Sequence, residues 1–466
     1  MKRILVDSSA QCTKVGYLEN GELIEFIYES AEEKSLVGNI YAGRVASVHK
    51  GMQACFIDIG CEKNAYMIMP KNRDIKAGMQ LAVQVQRDAS GSKGAGVTSK
   101  LSFPGKFIVL IPGDNGNIGI SKKIDGEEER ERIRNIALKV VPEGYGMIIR
   151  TEGEGKTFQE FKDETEELFK ISEETINKGN HIKAPALIHS DESTAIKAAR
   201  DLFGDDVDEI IINNYAEYEA VKRGAAHNPE RVKYYDSRIP MFENFFVQSQ
   251  AEKIFNKKVW LKSGGFIIIE QTEACVVIDV NTGKYTGKKD FQETVLKTNL
   301  EAAAEIAKQL RLRNLSGMII IDFIDMKQEE NKKLLLAALE RAVKKDRIKT
   351  TVVGLTELGL MQVTRKKTSV PVAAKLTEEC RFCRGSGTVF NYDYIAGEIR
   401  QKVISLFAQT IYNKVTVSSN KGILRALSGK NRCILDSIEK EFNGSIELKE
   451  IETSAGNYYE IAGEKV

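Results

Sequence analysis

Histidine is scarce in this chain: four in 466 residues, at His49, His181, His189 and His227. None stands close in sequence to the carboxylates discussed below, which argues against chemistry run by a pair of histidines. Long apolar runs are also missing. Nothing approaches the ~18 residues needed to cross a bilayer. The opening "MKRILVDSS" has a basic pair but no apolar stretch or small-residue cleavage site, so no signal peptide is expected. The cysteines number seven, and Cys12, Cys55, Cys61, Cys275 and Cys433 stand singly. That excludes a disulfide framework and suits a reducing cytoplasm. Neither sign of charge is in large excess. The formal net charge is +2, so a basic binding face has to be local. There is no internal repeat and no low-complexity tract.

What is present reads as a soluble multidomain protein. The hydrophobic fraction is 42% and the charged fraction 29%. At roughly 100–200 residues per domain the length allows about three domains or more. "RILVDS" and "KVGYLENGELIEFIYE" alternate as a β-meander, with Asn20-Gly21 as the hairpin turn. Five short strands follow, from "IYAGRVASVHK" to "AGVTSKLS", spaced as in a small Greek-key barrel. Beyond them, Thr157 to Glu160 spell a capping box at a helix start. The tail after about residue 391 reads as a small α/β unit.

The pair "CVVIDVNTG" and "GMIIIDFIDM" raises the chemical question. Each apolar run delivers an aspartate, Asp279 and Asp322, the second 43 residues after the first. A long helical pattern lies between them, so the spacing predicts a parallel βαβ unit. Both aspartates then fall at the carboxyl ends of their strands, on the edge where open α/β sheets hold ligands. Two carboxylates there repel unless a cation lies between them, and Mg²⁺ needs only one or two carboxylates plus water. Asn281, two residues on, faces the same side as Asp279. Each aspartate alone reads as a strand end that caps the next turn; for the pair, both readings stay open. "GEGKT" is not a phosphate loop, because Arg150 stands where its first glycine is required.

Cys380 and Cys383 have C-x-x-C spacing, followed by Gly385 and Gly387. A structural zinc needs four ligands, and no second C-x-x-C exists in the chain. A Zn²⁺ shared by two chains solves this and predicts a homodimer; a redox pair or two idle thiols are the alternatives. In the barrel segment, Phe56 and Tyr66, with Arg87 and Lys93, are candidates for stacking and gripping single-stranded nucleic acid, or else ordinary core aromatics. Basic runs at residues 341–349 and 365–367 flank the aspartate strands and favour a phosphate-backbone substrate.

Taken in order, "NIYAGRV", "CFIDIG", "GSKGAGVTS", "IIRTEGEGK", "VVIDVNTG", "TNLEAAAEIAKQLRLRNLSGMIIIDFIDM" and "CRFCRGSGTV" resemble the RNase E/RNase G family of bacterial endoribonucleases over nearly the whole chain. The resemblance implies a multidomain α/β and β fold. An RNase H-like domain is split over residues 1–35 and 192–254, around an OB-fold RNA-binding barrel at 36–99 and a 5′-end sensor at 100–191. A DNase I-like catalytic domain (255–376), a zinc link (377–388) and a small α/β dimerisation domain (389–466) follow. It implies that Asp279 and Asp322 hold Mg²⁺ with help from Asn281, and that Cys380 and Cys383 hold Zn²⁺. It also implies that Gly105, Val109, Arg150 and Thr151 receive a 5′-monophosphate, and that Phe56, Tyr66 and Lys93 grip RNA.

Three positions depart from the family pattern. Arg381 replaces a proline in the zinc link, Tyr66 stands for phenylalanine, and Lys349 replaces a sensor arginine and cannot bond bidentately. The chain also ends soon after the small domain, without a degradosome scaffold tail, which is similar to the RNase G branch. The expectation is a cytoplasmic, Mg²⁺-dependent endoribonuclease. It would cut single-stranded A/U-rich RNA by a metal-activated water, leave 5′-phosphate and 3′-hydroxyl ends, and act in RNA processing and mRNA decay. The assembly expected is a zinc-linked homodimer, which can pair into a homotetramer. The rival readings are a non-catalytic RNA-binding scaffold and a metal-dependent DNase.

Overall fold

The computed structural model describes residues 1–32, 35–70, 74–89, 93–204, 206–224, 228–283, 291–380, 382–383, 385–429, 432–452 and 458–465. Arg381 and His227 therefore lie outside the described residues. The chain divides into two compact units, Met1–Lys375 and Leu376–Val466.

In the first unit the opening meander forms as read, with strands Lys2–Ser8, Cys12–Glu19 and Glu22–Ser30. Asn20 and Gly21 both take positive φ, 51° and 82°, as a two-residue hairpin turn matched to strand twist requires. Strands Glu209–Ile212 and Val232–Tyr234 return from far along the sequence to extend this sheet in parallel on the Lys2–Ser8 side.

Strands Ile40–His49, Ala54–Asp58, Ala65–Ile68, Gly96–Thr98 and Gln80–Arg87 pair in that order, and the last pairs back to the first. This is a closed five-stranded barrel of the OB type. Closure removes the free sheet edges, and alternation turns Cys55, Ile57, Met67, Val83 and Val85 inward as its core. A further small sheet, with strands Ile108–Pro112 and Tyr145–Ile149 at its centre, packs with helix Phe158–His181. The capping box at Thr157 and Glu160 forms in full.

The sheet that carries the aspartates has six strands: Lys258–Trp260, Phe266–Gln271, Cys275–Asn281, Gly317–Asp322, Met361–Arg365 and Thr350–Leu355. Helices Phe291–Leu312 and Glu329–Lys344 supply apolar side chains to a single core on one face. Ile278, Ile319 and Ile321 are fully buried there. Truncating any one to alanine is expected to cost about 2–5 kcal/mol. The alternate residues, among them Val277, Asp279, Met318 and Asp322, lie on the other, open face. The strand period thus separates the residues that hold the sheet from those free to meet a ligand.

The second unit is a three-stranded sheet of Ser445–Glu450, Lys414–Ser419 and Tyr459–Glu464, with helices Tyr392–Gln409, Lys421–Ser428 and Cys433–Phe442. Ile399, Val403, Val415, Leu427 and Leu435 are among the fully buried residues of its core.

Candidate active site

Cys275–Asn281 and Gly317–Asp322 run parallel, with Asp279 directly opposite Asp322. Neighbouring strands lie about 4.8 Å apart and paired residues share a face, so register alone sets both carboxylates side by side on the open face. Asp279 is half-buried and Asp322 exposed. Asn281 donates from Nδ2 to Asp279 Oδ2 at 2.7 Å. That bond orients the carboxylate, whose other oxygen has no hydrogen-bond donor among the described residues.

The ends of these strands are closely packed. Gly265 lies so near Asn281 that a Cβ would come within 2.8 Å of the Asn281 carbonyl oxygen. At Gly283, φ +60°, a Cβ would meet the Gly264 carbonyl oxygen at 2.5 Å. Both glycines are therefore required by close approach. Beyond Asp322, the chain is held by Asn299 of the covering helix. Its side chain donates to the Ile324 carbonyl (2.8 Å) and accepts the Ile324 N–H (3.1 Å). Sequence reading missed Asn299, which the structure shows fully buried on this helix.

Two carboxylates with an amide beside them fit a hard, oxygen-seeking cation that keeps several waters. Among the described residues no group of three or more histidine, cysteine or acidic side chains could hold a metal ion. A small hydrated ion on the pair is the arrangement that the donor set suits.

Around residues 104–108 the structure builds a second polar centre. Arg150 donates from Nη1 to the Gly105 carbonyl (2.6 Å) and from Nη2 to Asp201 Oδ1 (2.7 Å). Among the described residues two of its five N–H groups are then used and three remain. Arg200 bonds the same Asp201 (3.1 Å) and reaches the Pro104 carbonyl (3.4 Å). From the other side, Glu164 accepts the N–H groups of Lys106 (2.5 Å), Phe107 (2.9 Å) and Ile108 (2.9 Å). The Gly105 N–H is bonded to the Ile108 carbonyl at 2.8 Å. Burial pushes the Glu164 carboxyl up, and the three N–H bonds offset only part of this. Burial also acts upward on Asp201, but the Arg200 hydrogen bond and the Arg150 charge outweigh it and hold that carboxyl below its ordinary value.

Val109 lies in the next strand, opposite Ile148. Thr151 Oγ1 is 3.1 Å from Ser121 Oγ. Lys349 is exposed, on a loop fixed by a buried ion pair, Arg365 Nε to Asp346 Oδ2 at 2.7 Å. Arg347 of that loop donates to the Asp201 backbone carbonyl. Asp201 therefore touches both Arg150 and the segment that carries Lys349. Sequence reading missed Asp201, Glu164 and Ser121, since each finds its partner far along the chain.

On the barrel, Phe56 pairs with Tyr66, Tyr66 with Gly96, and Gly96 with Arg87. Both aromatics are half-buried on the outer face rather than in the barrel core, their rings 5.9 Å apart. Lys93 is exposed just ahead of Gly94, where a Cβ would lie 2.1 Å from the Asn64 carbonyl oxygen. In the second unit Cys380 is exposed and Cys383 half-buried. The backbone N–H groups of Cys383 and Phe382, with the Cys383 side chain, lower the Cys380 thiol from its ordinary value. Gly385 and Gly387 take φ of +82° and +72°, and Ser386 N–H closes on the Cys383 carbonyl at 2.9 Å.

Comparison with known proteins shows the family. The profile of the Ribonuclease E/G family matches residues 102–368. The chain is 34% identical over 461 residues to ribonuclease G of Escherichia coli K12, with 94% of each chain covered. It is 34% identical over 429 residues to ribonuclease G of Haemophilus influenzae, with 87% of each covered. Against ribonuclease E of Escherichia coli K12 it is 32% identical over 413 residues, covering 84% of this chain and 39% of that protein. No helix among the described residues is long and apolar enough to cross a membrane. The chain belongs to the ribonuclease E/G family.

Proposed function

We propose that this chain is an endoribonuclease, a hydrolase acting on RNA, that cuts single-stranded A/U-rich RNA in RNA processing and mRNA decay. The observation that carries the reading is the register match of Asp279 and Asp322 on an open sheet face. Asp279 and Asp322 would hold Mg²⁺, and Asn281 would orient Asp279. The ion would supply charge stabilisation at a phosphoryl oxygen and a more acidic water. The open face leaves room for a phosphodiester over the pair. Hydrolysis this way needs no histidine and leaves a 5′-phosphate and a 3′-hydroxyl. The described histidines, His49, His181 and His189, lie outside the aspartate sheet.

Arg150, with three N–H groups to spare, would receive a 5′-monophosphate with Thr151, Gly105, Val109 and Lys349. Phe56, Tyr66 and Lys93 would hold the strand on the barrel by stacking and charge. Cys380 and Cys383 offer two thiolates, and a partner's equal pair would complete a structural Zn²⁺. The domain limits implied by the family resemblance are kept as part of this reading, as is a cytoplasmic location.

The test is cleavage in Mg²⁺ of one A/U-rich oligonucleotide carrying either a 5′-monophosphate or a 5′-hydroxyl. Faster cutting of the monophosphate form is expected. Binding without cutting of either form, indifferent to Mg²⁺, would replace this reading with the scaffold.

A further inference from the structure

The open face of the aspartate sheet carries an aromatic pair that the proposed roles leave unused. Trp260 lies opposite Phe266, and Phe266 lies opposite Asn281. The neighbouring register row runs Lys258, Ile268, Asp279, Asp322. Partners across strands share a face, so both rings stand on the face of the carboxylates, one row away. Phe266 is beside Asn281 and Trp260 one strand further. The ring centroids are 5.4 Å apart in an edge-to-face contact. The Lys258 ammonium sits 3.6 Å from the Phe266 centroid and 4.2 Å from that of Trp260. Trp260 is nevertheless 61% exposed, although most tryptophans are largely buried.

We infer that Trp260, braced by Phe266, is a stacking platform for one nucleobase of the RNA substrate, next to the bond that is cut. This inference rests on the endoribonuclease reading. Two observations favour a nucleotide over another occupant. The platform adjoins a pair of carboxylates suited to a metal ion and a phosphate. The Lys258 ammonium, held over both rings, puts positive charge beside this position, which favours a polyanion. An aromatic face accepts any base, because stacking does not read base edges. The base stacks on the exposed side of the Trp260 indole, Phe266 braces that ring edge-to-face beside Asn281, and the Lys258 ammonium lies over the Phe266 ring. Stacking of this kind holds the strand still over Asp279 and Asp322 without dictating its sequence.

Trp260 is the only tryptophan in the chain, so its fluorescence reports on this position alone. The experiment titrates the Asp279→Asn chain, expected to cut slower by on the order of a hundredfold or more, with a 5′-hydroxyl A/U-rich oligonucleotide. Strong quenching that saturates with binding is expected, as is weaker quenching with an oligonucleotide of abasic residues. In the otherwise native chain, Trp260→Ala is expected to lower kcat/KM about tenfold, within the range of one lost base–aromatic stack, and Trp260→Phe to restore most of it. Melting measurements check that both variants fold. Fluorescence unmoved by saturating RNA would overturn the inference. So would Trp260→Ala altering the oligomeric state while leaving RNA affinity and cleavage intact, which would make the patch a contact between copies. A native chain that neither binds nor cuts RNA would overturn the endoribonuclease reading itself, and the platform with it.

Discussion

Asp279 and Asp322 are 43 residues apart in the chain and are neighbours in the fold. Cys380 and Cys383 are three apart and are neighbours already in the sequence. Each pair is proposed as half of a metal site, yet they reach that state differently. The carboxylates need a whole βαβ unit to meet, and water completes the shell of a hard cation. The thiolates need only a turn, but zinc in a structural site asks for two more protein ligands. On the proposed roles the first site takes its protein ligands from one chain, and the second calls for a second copy. Breaking the first should stop chemistry and spare assembly; breaking the second should do the reverse.

The largest effect is expected at the carboxylates. Asp279→Asn and Asp322→Asn keep the side-chain shape, so the melting temperature should hold. Cleavage should fall on the order of a hundredfold or more, since a catalytic ion contributes several kcal/mol of transition-state stabilisation. Cleavage by either variant at the native rate would remove the pair from the mechanism. Next in size is Cys380→Ser. It should release zinc, read by metal analysis, and convert dimer to monomer, read by light scattering. A zinc-free dimer of this variant would refute the shared site.

A smaller change should separate geometry from ligation. Asn299 touches neither carboxylate; it ties Ile324 to the covering helix. Asn299→Ala leaves two backbone groups unpaired and is expected to cost about 1–3 kcal/mol in urea unfolding. Cleavage should drop less than in the aspartate variants, because the ligands remain and only their support loosens. Equal losses would mean that Asn299 belongs to the reacting site.

How much of this was legible in the sequence follows the same division. The βαβ unit and both aspartates could be read, because apolar periodicity and the crossover rule act on long segments. The side of Asn281 followed from strand alternation. The outer-face placement of Phe56 and Tyr66 could not be read, since one strand does not say which face of a barrel it lines. Asn299, Glu164 and Asp201 look in sequence like ordinary polar residues of helices. Their roles come from partners tens of residues away, and no local pattern encodes those. The Trp260–Phe266 pair was hidden for the same reason: the two are six residues apart across a hairpin whose register decides that they touch.

The smallest effect is expected at Asp201, which positions Arg150 and does not meet the scissile bond. Asp201→Asn keeps one hydrogen bond and removes the charge that fixes the guanidinium. The preference for 5′-monophosphate over 5′-hydroxyl RNA should then fall several-fold, with cleavage of the hydroxyl form unchanged. The pH dependence gives a second reading. Arg200 and Arg150 overcome the burial cost and hold the Asp201 carboxyl below its ordinary value of about 4. A depressed carboxyl stabilises the fold above its unfolded pKa and loses that contribution as pH falls through the folded one. Asp201 therefore stays charged throughout an assay between about pH 6 and 9. A loss of preference in the native chain near pH 6 is then expected from the RNA phosphate, whose second pKa is about 6, or from Glu164 under the same loop, whose carboxyl burial pushes up, and not from Asp201. The native chain and Asp201→Asn should accordingly show ratios that differ in height but bend at the same pH. A variant with the native ratio would show that Arg150 keeps its place without Asp201, with Gly105 and the packing of the 104–108 loop sufficient to hold it.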